Sequence, residues 1–452
     1  MIGLIGNIFT ATGRTLAVLG EGLTSLLWLI GKGAAIILAG GDRKAALLAF
    51  AQKVPTQRRV FSVLRAFKPN LAVNRVVMKA YDNTGTAVVT RREDCLDLLH
   101  RDADFEVVYG TRMRKLTEGE NFFLGMQPGW DYTRDTSAMH LAARTTDVAE
   151  IVLPRAAALA QEIVAASGGK IDIVPSLTLE VPWDMTDRYF GVGGTRETMQ
   201  DWTTILFWYL FEDLPADPDL DAKAMSYAAA LRGYLDSAIA ERKGAPTGAP
   251  DLLNRCLALQ SADTPGMSDL GIRNNLLGLL IGAIPTISKA SCLALDELLN
   301  RPDMLRSAHR AAVEGDDEKF ANHIWEALRF NPHNPVIYRR AARDAVIAPS
   351  TLRELRVKKG QIVFAATLSA MFDRHEIEAP DQFRINRRWE DYIIWGTGMH
   401  TCFGAQINRA VIPAILKPLI AQKNLRRAVG PAGQIDSGGT PHPQHFHLEF
   451  DT

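Results

Sequence analysis

Four cysteines occur in the chain, and one stands in a glycine-rich segment, "WGTGMHTCFGAQINRA" (Trp395–Ala410). Gly396, Gly398 and Gly404 surround Cys402, and His400 lies two residues before it. Glycine lets backbone approach a flat ligand closely. A helical pattern follows Gly404, so the sulfur should sit near a helix N-terminus, where backbone N–H groups favour negative charge. Backbone N–H groups aimed at the sulfur and the helix N-terminus both lower a thiol pKa, and the thiolate is the form that binds a metal. Cys95, Cys256 and Cys292 lie far apart with no CxxC pair. So spaced, the cysteines encode neither a zinc site nor an iron–sulfur ferredoxin module, and a chain of this size with so few cysteines fits a reducing compartment.

The spacing W-G-x-G-x-H-x-C-x-G resembles the haem-binding loop of the cytochrome P-450 family, with Trp395 in place of the usual phenylalanine. "EALR" supplies Glu326 and Arg329, three apart on one helix face, similar to the family's E-x-x-R pair. "PDQF" (Pro380–Phe383) is similar to the family's P-x-R-F meander, but Gln382 stands where arginine or histidine is usual. Either the customary charge triad weakens to a hydrogen bond or another arginine, such as Arg387, substitutes. "WDYTR" gives Trp130 and Arg134, both donors suited to haem propionates, and Arg339 and His400 fall at the family's other propionate positions. The resemblance runs from about Phe67 to Asp451. It implies a mainly α fold with a minor antiparallel β region, and one haem b whose iron takes Cys402 as ligand. It also implies a monooxygenase that inserts one oxygen atom from dioxygen into a hydrophobic small molecule.

The resemblance weakens at the long central helix. The family pattern A/G-G-x-D/E-T-T meets "LLIGAIPTISKA", where Gly282, Ala283 and Thr286 match but Pro285 replaces the acid and Ile287 the second threonine. The acid–alcohol pair that relays protons is therefore incomplete. A peroxide-dependent peroxygenase or hydroperoxide-rearranging enzyme is the alternative. Pro285 removes one N–H and should break the helix beside the oxygen site, freeing the Ile281 carbonyl for a water. Lys289, one turn on, is expected either ion-paired or turned toward the pocket. The apolar pocket walls expected are Phe122, Phe123, Met126, Phe207, Ile281, Val336 and Ile337. No flavin or nicotinamide motif is convincing, so electrons should come from separate ferredoxin and reductase proteins.

These residues need a helical scaffold, and the pattern supplies one. Helical periodicity dominates from about residue 131 to 243, then from 268 to 300 and 318 to 330. Strand-like runs fall at Gly85–Thr90, between 336 and 372 and in the tail "PHPQHFHLEF"; residues 104–130 read as a long loop and "GAPTGAP" as a linker. Composition is that of a globular chain, 47% hydrophobic and 23% charged. Lysine plus arginine equals aspartate plus glutamate, 51 each, so no global field favours nucleic acid. Residues 1–60 read as an apolar extension ahead of a catalytic domain at 61–452. Its first 41 residues carry only Arg14, Glu21 and Lys32 as charges. The longest uncharged run there is 13 residues, short of the ~20 of a clean span. Two readings stand: an interfacial helix on a membrane surface with Trp28 near the headgroups, or a helix packed on protein. A genuine span is the lesser third. The expected location is cytoplasmic, with peripheral membrane association under the first reading.

Overall fold

The computed structural model describes residues 12–73, 75–120 and 122–452, and the helical backbone from Ile2. The chain divides into two compact units, the first formed by Met1–Met78, Asp82–Glu106 and Arg329–Thr401, the second by the remaining segments.

In the first unit, helices α1 (Ile2–Leu38), α2 (Arg43–Gln52) and α3 (Val54–Phe67) precede a five-stranded sheet. Its strands are β1 (Asn70–Val73), β2 (Thr86–Val89), β3 (Phe105–Glu106), β5 (Ile337–Ala341) and β8 (Ile362–Ala365), in the order β1-β2-β8-β5-β3. β2 pairs with β8 in parallel while the other pairs are antiparallel, so this sheet is mixed and mostly antiparallel. Helix α4 (Arg92–His100) covers the sheet, and its Cys95, Leu98 and Leu99 enter a core with Val89, Phe105, Val363 and Ala365. β6 (Ala345–Ile347) and β7 (Leu355–Val357) form a separate hairpin.

The 1–60 boundary is not a domain boundary. It falls inside α3, and α1 packs along that helix. Val18, Gly22 and Ser25 make the seam, spaced to share one helical face. A Cβ on Gly22 would lie 2.3 Å from Ala66 Cβ, so glycine permits the close approach. Glu21 pairs with Arg65 at 3.0 Å and Arg374 at 2.8 Å. Trp28 stacks on Phe50 at 5.6 Å under the Arg59 guanidinium.

The second unit is helical. Its central helix, Asp269–Leu299, is apolar for most of its length, and Ser268 caps it by accepting from Gly271 N–H. Two helices appear in the stretch read as a loop. α5 (Gly110–Leu116) is held by Arg112, paired with Asp213, and a 3₁₀ turn covers Phe123–Gly125. α6 (Trp130–Ala142) follows. Strands β4 (Lys170–Asp172), β9 (Lys423–Arg427) and β10 (His447–Asp451) form a small antiparallel sheet in the order β4-β10-β9.

Candidate active site

In the second unit, Cys402 precedes the helix Ala405–Ile420. Cys95, Cys256 and Cys292 are fully buried, while Cys402 keeps accessible surface. Asn408, one turn into the helix, aims its amide Nδ2 at the sulfur from 3.9 Å. Burial pushes the thiol up to about 11, and the Gly404 N–H opposes it. The expected lowering is therefore not met by the loop alone. One N–H does not offset desolvation of the thiolate. Phe403 packs between Phe123 (5.1 Å) and His140 (4.6 Å), an aromatic contact the spacing did not announce.

The central helix runs unbroken through Pro285. The expected break is absent, because close packing of both halves holds the helix across the missing hydrogen bond. The Thr286 hydroxyl donates to the Gly282 carbonyl and, at 3.3 Å, to that of Ala283. Leu279, Gly282, Ala283, Thr286 and Lys289 keep partial exposure between fully buried neighbours, in helical spacing. A Cβ on Gly282 would meet nothing within 4 Å. One stripe of an otherwise buried helix thus faces open space. Lys289 at its end does not turn into that space. Its ammonium pairs with Glu212 at 2.6 Å, and Glu212 also lies 3.2 Å from His442 Nε2.

Several expected wall residues are core instead. Phe122 (1% exposed) fills the notch at Gly278, and Phe123 and Ile281 are as buried, so none lines a void large enough for water. Phe207 is also buried, packed on Phe211 and edge-on to His442. Met126 keeps partial exposure. Trp130 is 71% exposed, so its indole is not held as a buried donor. Arg134 is engaged by Asp135 at 2.7 Å and Asp131 at 3.0 Å.

In the first unit, Arg339 lies on β5 with Ile337 on the same face, and Val336 just precedes the strand. The Arg339 guanidinium is buried and donates to the Tyr338 carbonyl. His400 is pushed down to about 4 by burial and by the charge of Arg339. Gly396 and Gly398 both have φ near +75°, at 72° and 79°. At Gly398 a Cβ would lie 2.5 Å from the Leu99 carbonyl oxygen, so the loop's path requires glycine. Trp395 stacks on Trp389 at 5.4 Å.

Glu326 and Arg329 are fully buried on the helix Asp317–Phe330. Arg329 donates to the carbonyls of Met371 (3.0 Å), Pro380 (2.7 Å) and Gln382 (3.4 Å). Arg387 donates to the carbonyls of Ala379 and Gln382. Two guanidiniums thus meet on the backbone at position 382, where its own side chain supplies no charge.

The geometry defines a helical protein with a partly exposed cysteine at a helix start and an open stripe on its longest buried helix. A model of the cytochrome P450 family matches residues 72–421, and the chain belongs to that family of haem-thiolate monooxygenases. It is 26% identical over 307 residues to cytochrome P450 107B1 of Saccharopolyspora erythraea, covering 67% of this chain and 70% of that protein. It is 31% identical over 111 residues to a bifunctional dioxygenase–epoxy alcohol synthase of Pyricularia oryzae, covering 25% of this chain and 10% of that protein. The crystal structure of P450BioI in complex with hexadec-9Z-enoic acid ligated acyl carrier protein superposes with a TM-score of 0.73 at 18% identity, over 88% of this chain and 99% of that one. The family's cofactor is haem b, held through a cysteine thiolate. Each unit, taken by itself, has one feature that fits it: in the second the open stripe leaves room for a flat ring, and in the first the Arg339 charge beside His400 suits a carboxylate.

Proposed function

We propose that Cys402 is the iron ligand and that this enzyme inserts one oxygen atom from dioxygen into a hydrophobic small molecule, with electrons from separate ferredoxin and reductase proteins. The observation that carries the reading is the contrast among the four cysteines: among the described residues only Cys402 is not a fully buried residue, and Gly404 and Asn408 donors face its sulfur. Haem held by a thiolate supplies the push that favours O–O cleavage. The chain's own residues would do the rest. Arg339 and His400 would hold the propionates. The stripe Gly282–Ala283–Thr286 would leave room for oxygen and substrate. Thr286 would hold a proton-bearing hydroxyl there. Met126, Val336 and Ile337 remain the candidate walls for an apolar substrate.

A second reading rests on two specific observations. Pro285 stands where the proton-delivering acid belongs, and one relative is named an epoxy alcohol synthase. An epoxy alcohol carries the same two oxygen atoms as an isomeric unsaturated hydroperoxide, and that rearrangement consumes no external electrons. Under the first reading, Thr286→Ala lowers product per NAD(P)H with a surrogate ferredoxin system and releases peroxide. General acid–base help is worth ~10²–10⁴-fold, so the loss should be plain. Turnover of a hydroperoxide with no benefit from electrons would replace the first reading with the second.

We also infer that the protein is cytoplasmic and rests on a membrane through α1. Leu16, Leu19, Leu23, Leu27 and Ile30 are exposed and fall on one face of that helix, while Glu21 turns toward the protein. An uncharged outward face is the reverse of a solvated surface helix and matches an interfacial one. Liposome flotation of the full chain against Leu23→Asp/Leu27→Asp tests it. Equal flotation of the two proteins would overturn the membrane reading, and a dimer lost in the variant would assign the face to a second copy.

A further inference from the structure

We propose a divalent metal site, of zinc type, in the second unit at the small sheet, formed by His445, His447 and Asp172. Strand register brings the three together. His447 on β10 lies directly opposite Asp172 on β4, and His445 lies two residues before His447 on the same face. The two imidazoles are nearly parallel, 11° apart. His445 Nδ1 is 2.6 Å from Asp172 Oδ2, and His447 Nε2 is 3.5 Å from the same oxygen. All three ligand atoms fall within 4.8 Å of one another. Ligands ~2.0–2.1 Å from a tetrahedral zinc lie roughly 3.3 Å apart, so small rotamer shifts suffice.

The carboxylate is oriented before any ion arrives. Its other oxygen, Oδ1, accepts from Phe446 N–H at 2.9 Å and from Val174 N–H at 3.4 Å. That leaves Oδ2 for the ion, the second-shell arrangement a metal carboxylate requires. Two imidazoles and one carboxylate suit zinc, with the fourth position left for water because both histidines are half-exposed. An ordinary surface ion pair would need only one of the histidines.

The site also has a structural consequence within its unit. Thr440, His442, Pro443, Gln444 and His445 line a cavity of about 320 Å³ with Pro285 and Ser288 of the central helix. An ion bridging β4 and His445 would fix the loop that forms one wall of this cavity.

The test uses the haem-loaded full-length protein without an appended histidine tract, stripped with chelator and titrated with zinc chloride by calorimetry. One zinc should bind per chain and raise the melting temperature. His445→Gln/His447→Gln should weaken binding by more than the ~10–100-fold that a second-shell loss costs. Asp172→Asn keeps an oxygen to accept from Phe446 and Val174, so it should weaken zinc binding while leaving the zinc-free melt unchanged. It also decides the matter if the double variant fails to fold. Wild-type protein that takes up no zinc, or Asp172→Asn and double variants that bind as wild type, would overturn the proposal.

Discussion

Two helices of this molecule, 12–38 of α1 and Asp269–Leu299, are both long and apolar enough by composition to cross a membrane. They use that apolarity in opposite ways. The central helix buries its leucines and isoleucines against the second unit and leaves one stripe open, at Gly282, Ala283 and Thr286. α1 buries a narrow seam of small residues and its charged partners, and turns its leucines outward. Hydropathy alone does not separate the two. Single charged residues do: Lys289 ends the open stripe of the central helix, while Glu21 lies on the protein-facing side of α1.

The contrast predicts different costs for similar substitutions. Leu280→Ala in the central helix empties a fully buried position and should lower unfolding stability by about 2–5 kcal/mol in denaturant melts. A cost below about 1 kcal/mol would mean that the helix packs more loosely than described here. Glu21→Ala removes the acceptor of Arg65, whose guanidinium is buried, pulled down by burial and held by Ser369 and Glu21. Hydrogen bonds to charged groups are worth roughly 1.5–3 kcal/mol, so a loss in that range is expected. No loss would place the anchoring of α1 in the Val18–Gly22–Ser25 seam alone. Leu23→Ala, on the outward face, should leave the stability in solution within about 0.5 kcal/mol and show itself only in partition to lipid. A large loss in solution would show that this face is covered by protein.

The same two regions show how far the sequence reaches. The cysteine loop was legible as a glycine-built turn entering a helix, because Gly396 and Gly398 sit at positive φ ahead of the helix that starts at Ala405. Arg329 and the central helix were legible for similar local reasons. The partner of Lys289 was not: Glu212 lies on a distant helix, and no periodicity links the two. Residues 104–130 read as a loop because α5 is short and its Arg112 is satisfied by distant groups, Asp213 and the Tyr209 carbonyl. Phe122 read as a pocket wall because its type fits one, but Gly278 makes a notch that takes the ring into the core. Pro285 promised a break from local chemistry, and tertiary packing overrode it. The exposure of Trp130 had no local signal at all.

We propose that Cys402 alone would supply the thiolate that holds the haem iron. The carbon monoxide difference spectrum of the reduced wild-type protein and of Cys402→Ala measures this directly. The account predicts the red-shifted Soret band of a thiolate-bound haem in the wild type, and its loss, together with all turnover, in a variant whose circular dichroism shows the helical fold intact. A folded Cys402→Ala that keeps both the band and the turnover would contradict it.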